Sequence, residues 1–319
     1  MNQTATSVLI GNSELRIHPL GLGTNTFNTA EDPGEFHRVL DGFVERGGNF
    51  IDTADMYSYW VPGNTGGESE SVIGQWLTAR GNRDEVVIAT KVSGKPGLLG
   101  LAPETIQRGA EESLRRLQTD HIDLYYAHYQ DDETPVAESA AAFDALVRAG
   151  TVRAIALSNF TVEAIDEWFA VSRDNGFALP VALQPRYSLV ARGYEGGLAE
   201  VAARHGMSVF PYQVLAGGFL TGKYRTEADL EGRARAGAVE RYLTPDGLRV
   251  VEALDEVAAA HDTDVASVAL AWASADGKIT APLAAATSTD QLDQLFAAAS
   301  LKLSREDIAA LDQASATFR

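Results

Sequence analysis

Cysteine is missing from all 319 residues, and methionine occurs only three times. Without thiols the chain has no disulfide framework, no thiolate metal ligand and no cysteine nucleophile. That absence fits a reducing compartment, so a cytoplasmic location is expected. Basic residues are also scarce: 26 Lys and Arg stand against 44 Asp and Glu, a formal charge of −18. With no basic face to neutralise phosphates, a nucleic-acid partner is not expected. The acids, in stretches such as Glu111-Glu112 and Glu195 to Glu200, read as a solvated surface. No run approaches the ~18 apolar residues of a membrane span. The opening MNQTATSVLI carries neither a basic region nor a long apolar stretch, so neither a membrane partner nor a signal peptide is expected. The acidic run Asp131-Asp132-Glu133 follows His128, but no second histidine stands at ligand spacing, so no metal site is expected.

What the chain does have is a repeat of pattern. After an opening hairpin (SVLI, GNS, ELRI), apolar runs alternate with helix-period runs. Strand candidates lie at 19–24, 49–54, 86–92, 122–129, 152–159, 181–187, 208–213 and 280–286. Helix candidates lie at 34–47, 68–80, 103–117, 136–149, 162–175, 196–205 and 288–299. Pro103 and Glu104 open one helix and Arg115-Arg116 close it, the expected start and stop signals. Eight alternating units predict an α/β fold, a (β/α)8 TIM barrel with an amino-terminal β-hairpin and extra helices and loops at its mouth. No linker interrupts it, so residues 1–319 are expected to form a single domain. One long excursion, 215–246, is expected to fold over the mouth, followed by helices near 247–260 and 264–274.

Barrel chemistry sits at the carboxyl ends of the strands. There the sequence offers Asp52 with Tyr57 in its loop, then Lys91, His128, Ser158-Asn159, Gln184 and Tyr212. Taken singly, each has an ordinary reading: a solvated lysine, a structural histidine, an aspartate capping a turn. Ending neighbouring strands together, Asp, Tyr, Lys and His form a coherent acid–base set. A lysine beside a phenol favours the phenolate and should lower its pKa from about 10. An aspartate beside that lysine would hold it charged, and a phenol so placed can give a proton to a carbonyl oxygen. Two competing motifs fall away. GGFLTGKY fits G-x-x-x-x-G-K, but Tyr224 stands where a phosphate-binding loop needs Ser or Thr. The GLG at 21–23 lacks the third glycine of a dinucleotide fingerprint.

The stretches GLGT, FIDTADMY with GESESVIGQWL, VVIATK, HIDLYYAH, IALSNF, LQPRY and LAGGFLTGKY, in this order, resemble the aldo-keto reductase superfamily over essentially the whole chain. The style is that of bacterial oxidoreductases related to potassium-channel β subunits. The resemblance implies an NAD(P)H-dependent oxidoreductase that reduces an aldehyde or ketone to an alcohol by direct hydride transfer. Tyr57 would be the general acid, Lys91 its pKa-lowering neighbour, Asp52 the partner of Lys91, and His128 the group that orients the carbonyl. Ser158, Asn159 and Gln184 would hold the nicotinamide carboxamide and Tyr212 would stack on its ring. Gly23, Thr24, Asn25, Gln213 and the segment Leu215, Gly217, Gly218, Leu220, Gly222 and Lys223 would line the rest of the cofactor. Ala285, Thr287, Ser288 and Gln291 would hold the adenosine end. Tyr59, Trp60 and Tyr129 would line the pocket for a small-molecule carbonyl or sugar.

Departures from the family pattern are Ala285 for a usual Gly, Thr287 and Ser288 where Arg or Lys is common, Leu295 for Asn, and Gln213-Val214 before the glycine-rich loop. The expected cofactor is NADPH, with NADH as the alternative. The other functional readings are a sugar or secondary-alcohol dehydrogenase working in the oxidative direction and a cofactor-sensing regulatory subunit. Monomer and homo-oligomer both remain open.

Overall fold

The computed structural model describes residues 7–27, 33–233 and 236–319. Its centre is a ring of eight short strands: Gly21–Gly23, Phe50–Asp52, Val87–Val92, Ile122–Ala127, Val152–Ser158, Ala182–Gln184, Ser208–Val209 and Leu283–Ala284. The first seven pair in parallel, each with its neighbour in sequence, and the last pairs with the first. Backbone bonds close the ring between the last two strands, from Leu283 N–H to Pro211 O at 2.9 Å and from Thr280 N–H to Val209 O at 3.0 Å. The chain is a (β/α)8 barrel. The seventh strand is shorter than the run 208–213 suggested, because Pro185, just past the sixth strand, has no N–H for the Phe210 carbonyl and Pro211 has none for the eighth strand. Beyond it only an isolated bridge joins Tyr212 to Arg186.

Helices wrap the ring at Pro33–Glu45, Glu68–Arg80, Pro103–Leu117, Val136–Arg148, Val162–Asn175, Gly197–His205 and Thr289–Ser300. The additional pair, Pro245–Ala260 and Val265–Ser274, precedes the eighth strand, and Arg305–Ala314 follows the last wrapping helix. Local chemistry sets their ends. Thr161 accepts from Ala164 N–H at 3.2 Å and Asp264 from Ser267 N–H at 2.9 Å, satisfying first-turn donors. Covered by helices outside and side chains inside, the third and fourth strands are buried along their whole length. The apolar core accordingly has two layers, one between helices and strands and one inside the barrel.

The opening hairpin, Val8–Leu9 against Arg16–Ile17, closes the amino-terminal end. Ile10, Leu15 and Ile17 join Phe50, Val87 and Phe210 in the inner core. At the opposite end, the described residues of 215–246 form short 3-10 and helical turns. Phe219 stacks on Tyr242 with centroids 5.5 Å apart, and Arg186, just past the sixth strand, donates to the Tyr242 hydroxyl. The segment is thereby fastened to the carboxyl end of the barrel. One element was not foreseen, the hairpin Gly94–Lys95 with Leu98–Leu99 after the third strand. Its signal was the turn dipeptide Pro96-Gly97, with Gly97 at φ 83°. Among the described residues no helix is long and apolar enough to cross a membrane.

Candidate active site

Lys91 is fully buried, which an ammonium tolerates only when its donors are met. Its three N–H bonds have three acceptors: Asp52 Oδ2 at 2.7 Å, the Thr53 carbonyl at 2.7 Å and Tyr57 Oη at 2.9 Å. Tyr57 Oη in turn donates to Asp52 Oδ2 at 3.3 Å. Adjacent parallel strands put Asp52 and Lys91 side by side, because Asp52 is in register with Ala89 and the lysine lies two residues further on the same face. Tyr57 arrives from the loop, which Asp55 N–H anchors to the Lys91 carbonyl at 3.2 Å. His128 stands at the end of the fourth strand, its ring edge-on to Tyr57 with centroids 6.4 Å apart. The four expected catalytic side chains therefore converge.

Their electrostatics depart from expectation at one point. Burial and the Asp52 carboxylate push the Tyr57 phenol well above its ordinary value. The expected lowering by Lys91 does not prevail, since burial and the Asp52 carboxylate both act in the opposite direction. Burial lowers Lys91, while Asp52, Asp55 and Glu70 oppose the change. His128 is pushed well below its usual range by burial and then by Lys91, so its imidazole is neutral near pH 7. Its Nδ1 is buried without a hydrogen-bond partner among the described residues. Behind the site, Asp55 has both carboxyl oxygens buried with no hydrogen-bond partner among the described residues. Burial and Glu70 raise it well above the usual carboxylate range.

The residues assigned to the nicotinamide end are together but already engaged. Ser158 Oγ donates to the Gln184 carbonyl at 2.9 Å, Asn159 Nδ2 to the His128 carbonyl at 2.9 Å, and Tyr212 Oη to Asn159 Oδ1 at 2.8 Å. Gln184 Nε2 donates not outward but to Asp52 Oδ1, at 2.8 Å. In the glycine-rich segment Gly217, Gly218 and Gly222 all have positive φ, and the Lys223 ammonium lies 3.5 Å from where a Cβ on Gly218 would stand. A bare backbone beneath an ammonium suits a pyrophosphate, since only glycine lets an anion come so close to the chain. Leu215 is half-buried and Leu220 buried beneath this segment, while Gln213 is exposed at φ 56°.

In the loop expected to hold the adenosine, Thr287 N–H donates to Gln291 Oε1 at 2.8 Å. Ser288 is the N-cap of Thr289–Ser300 and makes no side-chain cap bond, so its hydroxyl is uncommitted. Ala285 is half-buried beside them. Gly23 and the exposed Asn25 lie at the end of the first strand, but Thr24 is fully buried. Its hydroxyl donates to the Asp52 carbonyl at 2.9 Å and is 2.7 Å from Ser69 Oγ, while its backbone N–H and carbonyl are met by Asp52, Phe27 and Ser69. The donors present are compatible with a dinucleotide carrying a nicotinamide at one end and an adenosine at the other.

Around Tyr57 the mouth is aromatic and exposed: Tyr59 at 41%, Trp60 at 49% and Tyr129 at 41%. Trp60 meets Tyr57 and Tyr59 edge-on at 6.3 and 5.5 Å, and Tyr129 stacks on His128 at 4.4 Å. Two contributors went unforeseen. Met56 packs its sulfur 3.8 Å from the Tyr129 hydroxyl, and Tyr126 lies beneath the site with Lys91 Nζ 5.7 Å from its ring. Tyr126 carried a signal, since it lies two residues before His128 on a buried strand and so shares its face.

A parallel barrel with a buried lysine, an acid and a phenol on its carboxyl rim, beside a glycine-rich anion cradle, defines a class: the (β/α)8 oxidoreductases that work with a dinucleotide. Comparison with known proteins agrees. Residues 19–316 match the model of the Aldo/keto reductase family, and the chain belongs to that family of NAD(P)H-dependent oxidoreductases. It is 32% identical to Protein tas of Escherichia coli (strain K12), over 95% of both chains. It is 34% identical to the uncharacterized oxidoreductase YrpG of Bacillus subtilis (strain 168), over 93% of this chain and 92% of that one. It is 29% identical to norsolorinic acid reductase of Aspergillus flavus, over 96% of this chain and 80% of that one.

Proposed function

We propose that the chain, acting as one domain, reduces an aldehyde or ketone to an alcohol with NADPH, and that Tyr57 supplies the proton. The observation that carries this reading is the Tyr57 hydroxyl 2.9 Å from a buried ammonium at an open aromatic mouth. Bound at this rim, a nicotinamide cofactor supplies a hydride to the carbonyl carbon. Ser158, Asn159 and Gln184 would receive its carboxamide, Tyr212 its ring, Gly217 to Lys223 its pyrophosphate, and Thr287, Ser288 and Gln291 its adenosine phosphate. His128, neutral, donates its one N–H to the substrate oxygen and orients it. Tyr57 gives its proton to that oxygen as the carbon is reduced, so the alcohol gains one hydride and one proton. Lys91 stabilises the phenolate left behind, and Asp52 keeps Lys91 charged.

Burial and Asp52 raise the phenol, which keeps Tyr57 protonated at ordinary pH, the state in which it can give a proton to a carbonyl oxygen. The aromatic rim of Tyr59, Trp60 and Tyr129 favours a flat or aromatic carbonyl, and one relative bears the name norsolorinic acid reductase. A panel of aldehydes, ketones, sugars and secondary alcohols assayed with NADPH and NADH tests the proposal. Carbonyl-dependent oxidation of NADPH is expected. Turnover only with alcohols and an oxidised cofactor would reverse the direction, and cofactor binding with no turnover would favour a sensor.

A further inference from the structure

We propose that Gln184 is a positioning residue for the acid–base group: it fixes Asp52 from across the barrel and links the nicotinamide end of the site to the proton donor. The proposal rests on the reductase reading above. Asp52 comes from the second strand and Gln184 from the sixth, on opposite sides of an eight-membered ring. Their side chains meet in the middle, with Gln184 Nε2 2.8 Å from Asp52 Oδ1. The assignment of nitrogen and oxygen follows from chemistry, since a carboxylate paired with Lys91 can only accept. Both side chains are 2% exposed, so water does not replace the bond if it is lost.

Each oxygen of Asp52 then has its own task. Oδ2 takes Lys91 and Tyr57, at 2.7 and 3.3 Å, and Oδ1 takes Gln184. Without Gln184 the carboxylate has a buried, unmet oxygen and freedom to turn about its last bond, which carries Oδ2 away from Lys91. The Gln184 backbone is held by Ser158 Oγ at 2.9 Å. Among the described residues no hydrogen bond is seen to Gln184 Oε1, which leaves it able to accept from the cofactor's carboxamide. One amide therefore serves both: the cofactor on its oxygen, Asp52 on its nitrogen. A contact that orders Gln184 from the cofactor side also orders Asp52, Lys91 and Tyr57.

The test is a double-mutant cycle. Gln184→Met keeps the size and removes the donor. At saturating cofactor it is expected to lower kcat by about tenfold or more, the effect of losing a buried hydrogen bond to a charge. In an Asp52→Asn background the same change is expected to cost less than about twofold, because the partner is already altered. Gln184→Glu supplies a second signature, regaining activity as pH falls, when the protonated acid can again donate to Asp52. Cofactor affinity, followed by tryptophan fluorescence without turnover, separates the two faces of the amide. Additive losses in the cycle, or weakened cofactor binding with unchanged kcat, would overturn the positioning role and leave the reductase reading intact. Should Gln184→Met not fold, Gln184→Glu decides, and no recovery toward low pH overturns the proposal. A wild-type chain that reduces no carbonyl with either cofactor overturns the functional reading and this proposal together.

Discussion

At the amino-terminal end of the barrel Phe50 packs against Phe210 with ring centroids 4.8 Å apart; two residues along the same strand, Asp52 meets Lys91 at 2.7 Å. The first end is plugged by Ile10, Leu15 and Ile17 and is held by apolar burial. The second holds a buried ion pair, a phenol and a neutral imidazole. Backbone strain divides the same way. Of the seven non-glycine residues with positive φ among those described, Ser58, Ser93, Asn159, Gln213 and Ala216 lie just past the carboxyl ends of strands. Each such conformation costs of order 1–3 kcal/mol. One end of the ring stabilises the fold, and the other spends part of that stability on geometry that only chemistry needs.

The comparison breaks most visibly at Tyr57. Tyr57→Phe keeps the ring and deletes the proton donor, so carbonyl reduction should fall by about 10²–10⁴-fold. Steady-state rates should collapse while thermal midpoint and cofactor affinity hold. Retention of half the rate would assign the proton to another group. Next, Lys91→Met strands a buried carboxylate and should cost about 3–5 kcal/mol. In urea titrations Lys91→Met with Asp52→Asn should recover much of that loss, and an equally unstable double mutant would deny that the pair is coupled. At the other end Ile17→Ala should cost about 2–5 kcal/mol of stability while kcat per folded molecule stays at the wild-type value. A comparable loss of kcat would mean the two ends are not independent.

Acidity sharpens the contrast more gently. The Tyr57 phenol, raised above about 10, stays protonated at ordinary pH, so the reductive rate should be level up to about pH 10 and decline only beyond it. A fall centred near pH 7 would contradict the raised value. His128 has a lowered folded pKa, so its contribution to stability is complete above about 6.5. Below that, the unfolded chain takes up a proton that the folded chain refuses, and stability falls as pH drops toward the folded value. Wild type should therefore lose more stability than His128→Gln between pH 7.5 and 5, measured by denaturant midpoints. The smallest effect is expected at the adenosine end, where Thr287→Arg should sharpen the preference for NADPH over NADH by about 3- to 10-fold, since a charged donor binds phosphate more strongly than a hydroxyl. Fluorescence titration with each cofactor reads this, and an unchanged ratio removes the loop from the phosphate site.

Much of this was legible in the chain. All eight strands lie within the runs picked out by alternation, and Pro103–Leu117 was bounded correctly by its Pro start and Arg stop. Asp52, Tyr57, Lys91 and His128 stood out because strand ends are where barrel chemistry gathers. The 94–99 hairpin was missed because Ser93 to Gly100 has too few residues for a periodic signal. The truncation of the seventh strand turned on the missing N–H groups of Pro185 and Pro211. Thr24 looked like a ligand residue, and its hydroxyl is spent inside.

By itself the sequence determined the repeat, the order of strands and which residue types reach the carboxyl rim, because periodicity and caps are local properties of the chain. Tertiary structure decided what those residues are to one another. That Gln184 bonds to Asp52 across 132 positions, that Asp52 outweighs Lys91 at the phenol, and that Tyr212 occupies Asn159 depend on distance and burial. Coulomb energies and desolvation vary with separation in space and with the surrounding dielectric, neither of which is written in residue order.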